Sequence, residues 1–440
     1  LLYFLFLDFV TPMFTSDLII IGSGPGGYRA AGYAARCGLS VTIIESKYPG
    51  GTCLNTGCIP TKALAHDALL HKRSWAEAIS RKNEVVAQLA KGIESLLSQK
   101  GITLVRGQAE FQDAHTVMVG ETSYTARNII IATGSQPAIP PIEGAQSDAV
   151  ITSDRLLSLT ELPASLCIIG SGVIGMEFAS ILNSFGCKIT VIEYLKECLN
   201  ILDDDIAKRV RKQMERRGID FHLSCKVRRI AGRKVFFEDR KGDERCTEAA
   251  LTLIATGRRP SLTGLGLEKT GIDFTTKGIA VDDNMRTNIP HIYAIGDCNG
   301  RQLLAHAATF QGFRAVNTIL EKADKINLNI MPAAVFTEPE TACVGLTLHA
   351  AQEQGISAQE RKGFYRANGR AVAMEAEEGM VKLITDESDA IIGCHAYGCH
   401  AADIVQEVTC LMNSGATRTQ LADTVHIHPT VSEVLQDLAR

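Results

Sequence analysis

Two stretches of this chain, far apart along it, repeat one local design that leaves little freedom in the fold. The first begins with Asp17-Leu-Ile-Ile-Ile21, a short apolar, β-branched run. Gly22-Ser-Gly24-Pro-Gly-Gly27 follows, then an Ala-rich stretch from Tyr28 to Cys37, then a second apolar run from Ser40 to Ile44 that ends in Glu45. Strand, glycine turn, helix, strand and acid is the order of a βαβ dinucleotide-binding unit. Gly22 permits the tight turn, Gly24 lets the main chain approach a pyrophosphate, and Gly27 lets the helix pack on the strand. The helix start offers free amide donors to the anion, and Glu45 can accept from ribose hydroxyls. The second copy runs through Leu166 to Ile169, Gly170-Ser-Gly172-Val-Ile-Gly175, a helix to Phe185, and the strand Lys188 to Ile192 ending in Glu193. In both copies the acid follows the first glycine by 23 positions. A lone motif of this kind is also found in turns that bind nothing, but two full units with one offset predict two dinucleotide sites. Glu193 repels a 2′-phosphate, and Tyr194, Leu195 and Lys196 after it supply no Arg pair, so the second unit should prefer NAD to NADP.

A length of 440 residues predicts two to four domains. With 45% hydrophobic and 21% charged residues, the chain is globular rather than disordered. Its 45 basic and 49 acidic side chains, without a basic block, lack the electrostatic footprint of a nucleic-acid binder. No run approaches 18 uninterrupted apolar residues, so no membrane span is expected. Leu1 to Val10 is apolar but has no positive flank and contains Asp8. Residues 1–12 are expected to lie upstream of a start at Met13 and to take no part in the fold. Thirteen Cys without regular spacing read as reduced thiols in a cytoplasmic protein, any disulfide being catalytic.

Directly after the first unit comes Gly50-Gly-Thr-Cys53-Leu-Asn-Thr-Gly-Cys58-Ile-Pro60-Thr-Lys62. Residues five apart on a regular helix are separated by roughly 8 Å, beyond the disulfide range of about 4.4 to 6.8 Å. A bond between these sulfurs therefore needs a bend, which Asn55 and Gly57 can supply. Pro60 suits the first turn of a helix beginning near Cys58, whose positive end favours a thiolate there. A buried Cys pair or half of a zinc site are the other readings, and zinc fits neither the spacing nor the neighbours.

These residues, with His426-Ile-His428-Pro-Thr-Val-Ser-Glu433 near the C-terminus, resemble the flavin-dependent pyridine-nucleotide disulfide oxidoreductases. Ile131-Ala-Thr133-Gly134 and its echo Ile254-Ala-Thr-Gly257 belong to the resemblance, as do Tyr293-Ala-Ile-Gly-Asp297 and Leu304-Ala305-His. So does Phe336-Thr-Glu-Pro-Glu-Thr-Ala-Cys-Val-Gly345. The fold implied is α/β, with two Rossmann-like domains, for FAD and NAD, plus a C-terminal α/β dimerisation domain. FAD falls to Gly22, Gly24, Gly27, Glu45, Lys62, Thr133, Gly134, Asp297 and Ala305, with Asp297 on the ribitol. Lys62, near the flavin ring, pairs with Glu177. NAD falls to Gly170, Gly172, Gly175, Glu193 and Gly257. Cys53 resembles the thiol that exchanges with substrate, and Cys58 the one that makes the flavin charge-transfer contact. The dyad of His428 and Glu433 reaches the Cys pair of the other subunit, so a homodimer is implied. The likeness is greatest to members that oxidise dihydrolipoamide with NAD, served by the lipoyl domain of a 2-oxo acid dehydrogenase or glycine cleavage complex. Reduction of another small disulfide, mycothione or glutathione, is the alternative within the family. A flavoprotein kept as a structural subunit is the alternative outside catalysis.

The residues make their own case for His428. Pro429 should push it out of the helical region and start a helix, placing the imidazole before a first turn that carries Glu433. A carboxylate there fixes the tautomer and stabilises the imidazolium. His426 is the local rival. Cys394-His395 and Cys399-His400 gather two Cys and two His, and packing at an interface is the preferred reading over a metal site; no metal is expected. The remaining Cys are expected to be structural. Expected boundaries are 13–147 for the first part of the FAD domain and 148–262 for the NAD domain. The segment 263–330 should complete the FAD site, and 331–440 should form the interface domain.

Overall fold

The computed structural model describes residues 14–440, so the expectation about residues 1–12 lies outside the described residues. The chain divides into two compact units. One gathers residues 14–51, 90–135 and 259–324; the other gathers 52–89, 136–258 and 325–440.

The first unit is built on a seven-stranded sheet. Strand Ser16–Ile21 lies parallel between Val41–Glu45 and Thr122–Ile131, Ile20 facing Ile43 on one side and Ile130 on the other. Ile19 and Ile20 are fully buried, as expected of a parallel strand covered on both faces. Helix Pro25–Arg36 crosses from the first strand to the second. Strand Ile292–Ala294, from a late part of the chain, joins the same sheet parallel to Thr122–Ile131. The turn after it, Gly296–Asn299, is thereby placed at the carboxyl end of the parallel strands, where open α/β sheets bind ligands.

The second unit contains the other βαβ copy. Its five parallel strands run in the order Asp220–His222, Lys188–Ile192, Ser165–Ile169, Leu251–Ile254, Val150–Ile151. A separate antiparallel sheet orders Ala333–Val335, Thr341–Gly345, Ile391–Tyr397, Met380–Asp386 and Ala358–Phe364. Helix Ala401–Asn413 buries Ile404, Val405 and Val408 in a core shared with that sheet. Two helices, Cys58–Leu70 and Trp75–Leu97, are parted where His71 turns left-handed (φ 50°).

The second unit also holds a buried polar cluster. Lys382, 3% exposed, pairs with Asp203 at 2.6 Å and Glu360 at 3.2 Å. Beside it His395 accepts the Asp203 N–H at Nδ1 (3.3 Å). Burial pushes His395 down to about pH 4. In the unfolded chain a histidine titrates near 6.5, so the unfolded state takes up the proton first. The contribution is complete above about pH 6.5 and is lost as pH falls towards 4, by at most about 3 kcal/mol. Chemical denaturation at a series of pH values should show His395→Gln losing part of the acid-side decline in stability. Identical pH slopes for the two proteins would contradict this.

Candidate active site

Cys53 lies in the short helix Gly51–Asn55, and Cys58 opens the helix Cys58–Leu70. The chain breaks between them at Thr56 and Gly57. Thr56 N–H still bonds the Thr52 carbonyl (2.9 Å), closing the first helix, while Thr61 donates N–H (3.1 Å) and hydroxyl (2.7 Å) to the Gly57 carbonyl. A Cβ at Gly57 would come within 2.9 Å of the Thr52 carbonyl oxygen, so the bend needs glycine. The bend expected from Asn55 and Gly57 is therefore present, and it brings the two sulfurs into hydrogen-bond contact as unlinked thiols.

The two thiols are unequal. The hydrogen bond from Cys53 is the largest influence lowering Cys58, to about 7; burial opposes it, and the Lys62 charge assists. The same bond and burial push Cys53 far up. Within the reduced pair the negative charge is thus favoured on Cys58 over Cys53. Lys62 lies one turn along the Cys58 helix. Its ammonium bonds both carboxylate oxygens of Glu177 at 2.8 Å, and Glu177, 3% exposed on helix Val173–Ser184, also accepts Phe336 N–H at 2.9 Å. The Phe336 ring faces the ammonium at 4.9 Å.

At the C-terminus, His428 Nδ1 meets Glu433 Oε1 at 2.9 Å. Glu433 Oε2 accepts Thr430 N–H at 2.8 Å, and that bond, then the one to His428, holds the carboxyl below its usual range. One expectation is corrected: Pro429 does not start a helix, which begins at Glu433. The loop 429–432 instead folds through Thr430, whose hydroxyl bonds the Ile427 carbonyl at 2.8 Å. The two histidines separate cleanly. His426, its side chain 4% exposed, is bonded to Glu407 and the Thr424 carbonyl, whereas the His428 side chain is 81% exposed. Among the described residues no hydrogen bond joins His428 to Cys53 or Cys58.

Both nucleotide units have the geometry their motifs require. Gly22 and Gly170 adopt φ of +104° and +101°. A Cβ on Gly27 would strike the Gly22 carbonyl, and one on Gly175 the Gly170 carbonyl. By contrast, Gly24 and Gly172 face open space, and neither helix start carries a side-chain cap, so the first-turn amides are left for an anion. The residues present therefore fit two dinucleotides.

Sequence reasoning missed how the two acids are held. Glu45 Oε2 accepts the N–H (2.8 Å) and hydroxyl (2.6 Å) of Ser23, and Oε1 accepts Lys47 N–H at 2.8 Å. Glu193 repeats this with Ser171 N–H (2.6 Å), Ser171 hydroxyl (2.8 Å) and Leu195 N–H (2.7 Å). The shared Ser between the first two glycines was the available signal. Asp297 was placed by sequence, but not its partner Ser135, whose hydroxyl donates at 2.5 Å. Gln311 also escaped notice; it steadies the same turn through Gly296 N–H (2.7 Å) and Asn299 (2.9 Å). Thr133 and Gly134 follow strand Thr122–Ile131, Ala305 opens helix Ala305–Ile319, and Gly257 follows strand Leu251–Ile254.

The other cysteines are mostly buried, but Cys246 and Cys410 are exposed. Cys394 and His395 are buried while His400 is exposed and bonds Asp403 at 3.2 Å. Among the described residues no group of three or more His, Cys, Asp or Glu could hold a metal, and no helix is long and apolar enough to cross a membrane.

A redox-capable thiol pair in a chain that also carries two nucleotide folds defines a class of flavin and nicotinamide enzymes, and comparison with known proteins agrees. The sequence matches the pyridine nucleotide-disulphide oxidoreductase family over residues 16–312 and the dimerisation domain of that family over 331–439. The chain belongs to this family, whose members use FAD and NAD. It is 35% identical to dihydrolipoyl dehydrogenase 3 of Haloarcula marismortui, over 97% of this chain and 96% of that one. It is 37% identical to dihydrolipoyl dehydrogenase of Chlamydia muridarum, over 96% of each. Among solved structures, the HOCl-induced flavoprotein disulfide reductase RclA of Escherichia coli is similar, with a TM-score of 0.89 and 32% identity over 96% of this chain and 99% of that one.

In protein reduced with a dithiol, Cys58 should titrate near pH 7, read as the ultraviolet thiolate absorbance lost in Cys58→Ser, and Lys62→Gln should move that titration upward. A titration near the ordinary thiol value of about 8.5 in both proteins would contradict the assignment.

Proposed function

We propose that this chain oxidises dihydrolipoamide to lipoamide with NAD as acceptor. The observation that carries the reading is the hydrogen-bonded pair of Cys53 and Cys58 at a helix start beside Lys62. The names of its relatives point to the same substrate.

In the oxidised enzyme Cys53 and Cys58 are joined. His428 takes the proton of one substrate thiol, and the resulting thiolate attacks the Cys53 sulfur. The Cys53–Cys58 bond breaks, its electron pair leaving on Cys58. The second substrate thiol then attacks the mixed disulfide, closing the lipoamide ring and releasing Cys53. The substrate loses two electrons and two protons. One proton ends on Cys53 and the other on His428, and the negative charge stays on Cys58. The lowered Cys58 and raised Cys53 favour this departure, because the better leaving group is the sulfur with the lower pKa. Glu433 orients the imidazole and stabilises its cation. Glu177 holds Lys62 in place as the positive charge beside Cys58.

FAD, when bound, supplies the two-electron acceptor that passes hydride to NAD. Its holders are Gly22, Gly24, Gly27, Glu45, Lys62, Thr133, Gly134, Asp297 and Ala305; those of NAD are Gly170, Gly172, Gly175, Glu193 and Gly257. The exposed His428, flanked by Val425 (90% exposed) and Ile427 (79% exposed), supports a homodimer in which each subunit lends its dyad to the Cys pair of the other. The substrate arm comes from a lipoyl domain of a 2-oxo acid dehydrogenase or glycine cleavage complex. Thirteen Cys without regular spacing support a reducing, cytoplasmic setting.

The deciding assay compares NAD reduction by dihydrolipoamide with NADH oxidation by glutathione disulfide. The first should dominate; Cys53→Ser should abolish it with FAD retained, and His428→Gln should lower it by about 10²- to 10⁴-fold. Faster turnover of glutathione disulfide, or full activity in Cys53→Ser, would overturn the proposal.

A further inference from the structure

We infer that Ser171 is a positioning residue that sets the strength and selectivity of nicotinamide-dinucleotide binding through Glu193. The inference rests on the placement of NAD in the second βαβ unit. Ser171 is 1% exposed and Glu193 8% exposed, so neither group is solvated by bulk water. One carboxylate oxygen, Oε2, takes both the main-chain N–H of Ser171 at 2.6 Å and its hydroxyl at 2.8 Å. The other, Oε1, takes Leu195 N–H at 2.7 Å. Two of these three donors are main chain and survive any substitution. The hydroxyl is the one that a side chain supplies, and hydrogen bonds to an ionised acceptor count among the stronger ones.

The clamp fixes the carboxylate plane at the end of strand Lys188–Ile192 and leaves acceptor capacity on Oε1, since each carboxylate oxygen can take about two donors. A pair of vicinal ribose hydroxyls needs such an acceptor in one orientation. A 2′-phosphate needs the opposite, a carboxylate that can swing away. Three donors prevent that swing, so the penalty against NADP is applied in full. Without the hydroxyl, Oε2 keeps a single donor and the side chain gains rotamer freedom, so it both binds the diol less well and retreats more readily from a phosphate.

The same clamp at Ser23 and Glu45, in the other unit, supplies an internal control. Its loss should weaken FAD retention and leave the nicotinamide site alone.

The experiment measures equilibrium binding of NADH and NADPH to the flavin-loaded protein and to Ser171→Ala, Ser171→Thr, Ser23→Ala and Glu193→Ala. Ser171→Ala should weaken NADH about five- to tenfold and narrow the NADH-to-NADPH preference by a similar factor. In steady state the loss should fall on KM for NAD rather than on kcat. Ser171→Thr, which keeps a hydroxyl, should restore most of both. Ser23→Ala should leave NADH affinity within about twofold of the parent, a factor small against the loss of a charged hydrogen bond. If Ser171→Ala changes neither affinity nor preference while Glu193→Ala collapses the preference, the role of Ser171 is overturned and the NAD site stands. If neither variant changes the preference, the placement of NAD in this unit fails, and the inference with it.

Discussion

The chemistry of this chain depends on a broken helix. Had the backbone run on regularly from Gly51, Cys53 and Cys58 would have faced apart. Instead one helix closes at Asn55 and another opens at Cys58, with Gly57 packed too close to the Thr52 carbonyl for any other residue. The break does two things at once. It brings the sulfurs into contact, and it puts Cys58 alone at a helix start, with Lys62 a turn further on. The asymmetry of the pair, which favours charge on Cys58 over Cys53, comes from the hydrogen bond between the sulfurs and from the Lys62 charge, both of which this break makes possible.

The second constraint is duplication. Two βαβ units with the same glycine spacing hold their acids by the same three donors, and in each the turn faces open space only where a pyrophosphate needs approach. Histidines are partitioned with similar economy. The side chains of His395 and His426 are buried and bonded within the chain, whereas that of His428 is exposed and tied by a single carboxylate.

Much of this was legible in the sequence, for reasons that differ from element to element. The strands and helices of both βαβ units announce themselves through glycines whose steric demands are absolute. The thiol pair and the bend at Gly57 follow from a distance argument, whereas His428 with Glu433 was read from a helix start at Pro429 that the chain does not make. The exact helix start near Pro429 was not legible, because the loop is held by Thr430 rather than by proline alone. Nor were contacts between residues distant in sequence: Ser135 with Asp297, Lys382 with Asp203, and Glu177 with Phe336 all require the tertiary fold to be known. A side chain as common as Ser carries no signal until the group it clamps is in view.

Differential alkylation tests the central claim most directly. Free thiols are blocked in the oxidised protein under denaturing conditions, a second sample is first reduced anaerobically with dihydrolipoamide, and the sites newly labelled in it are mapped by mass spectrometry. The account predicts that two sites appear, Cys53 and Cys58, and that the other cysteines label equally in both samples. Newly labelled sites elsewhere in the chain, or none at all, would contradict it.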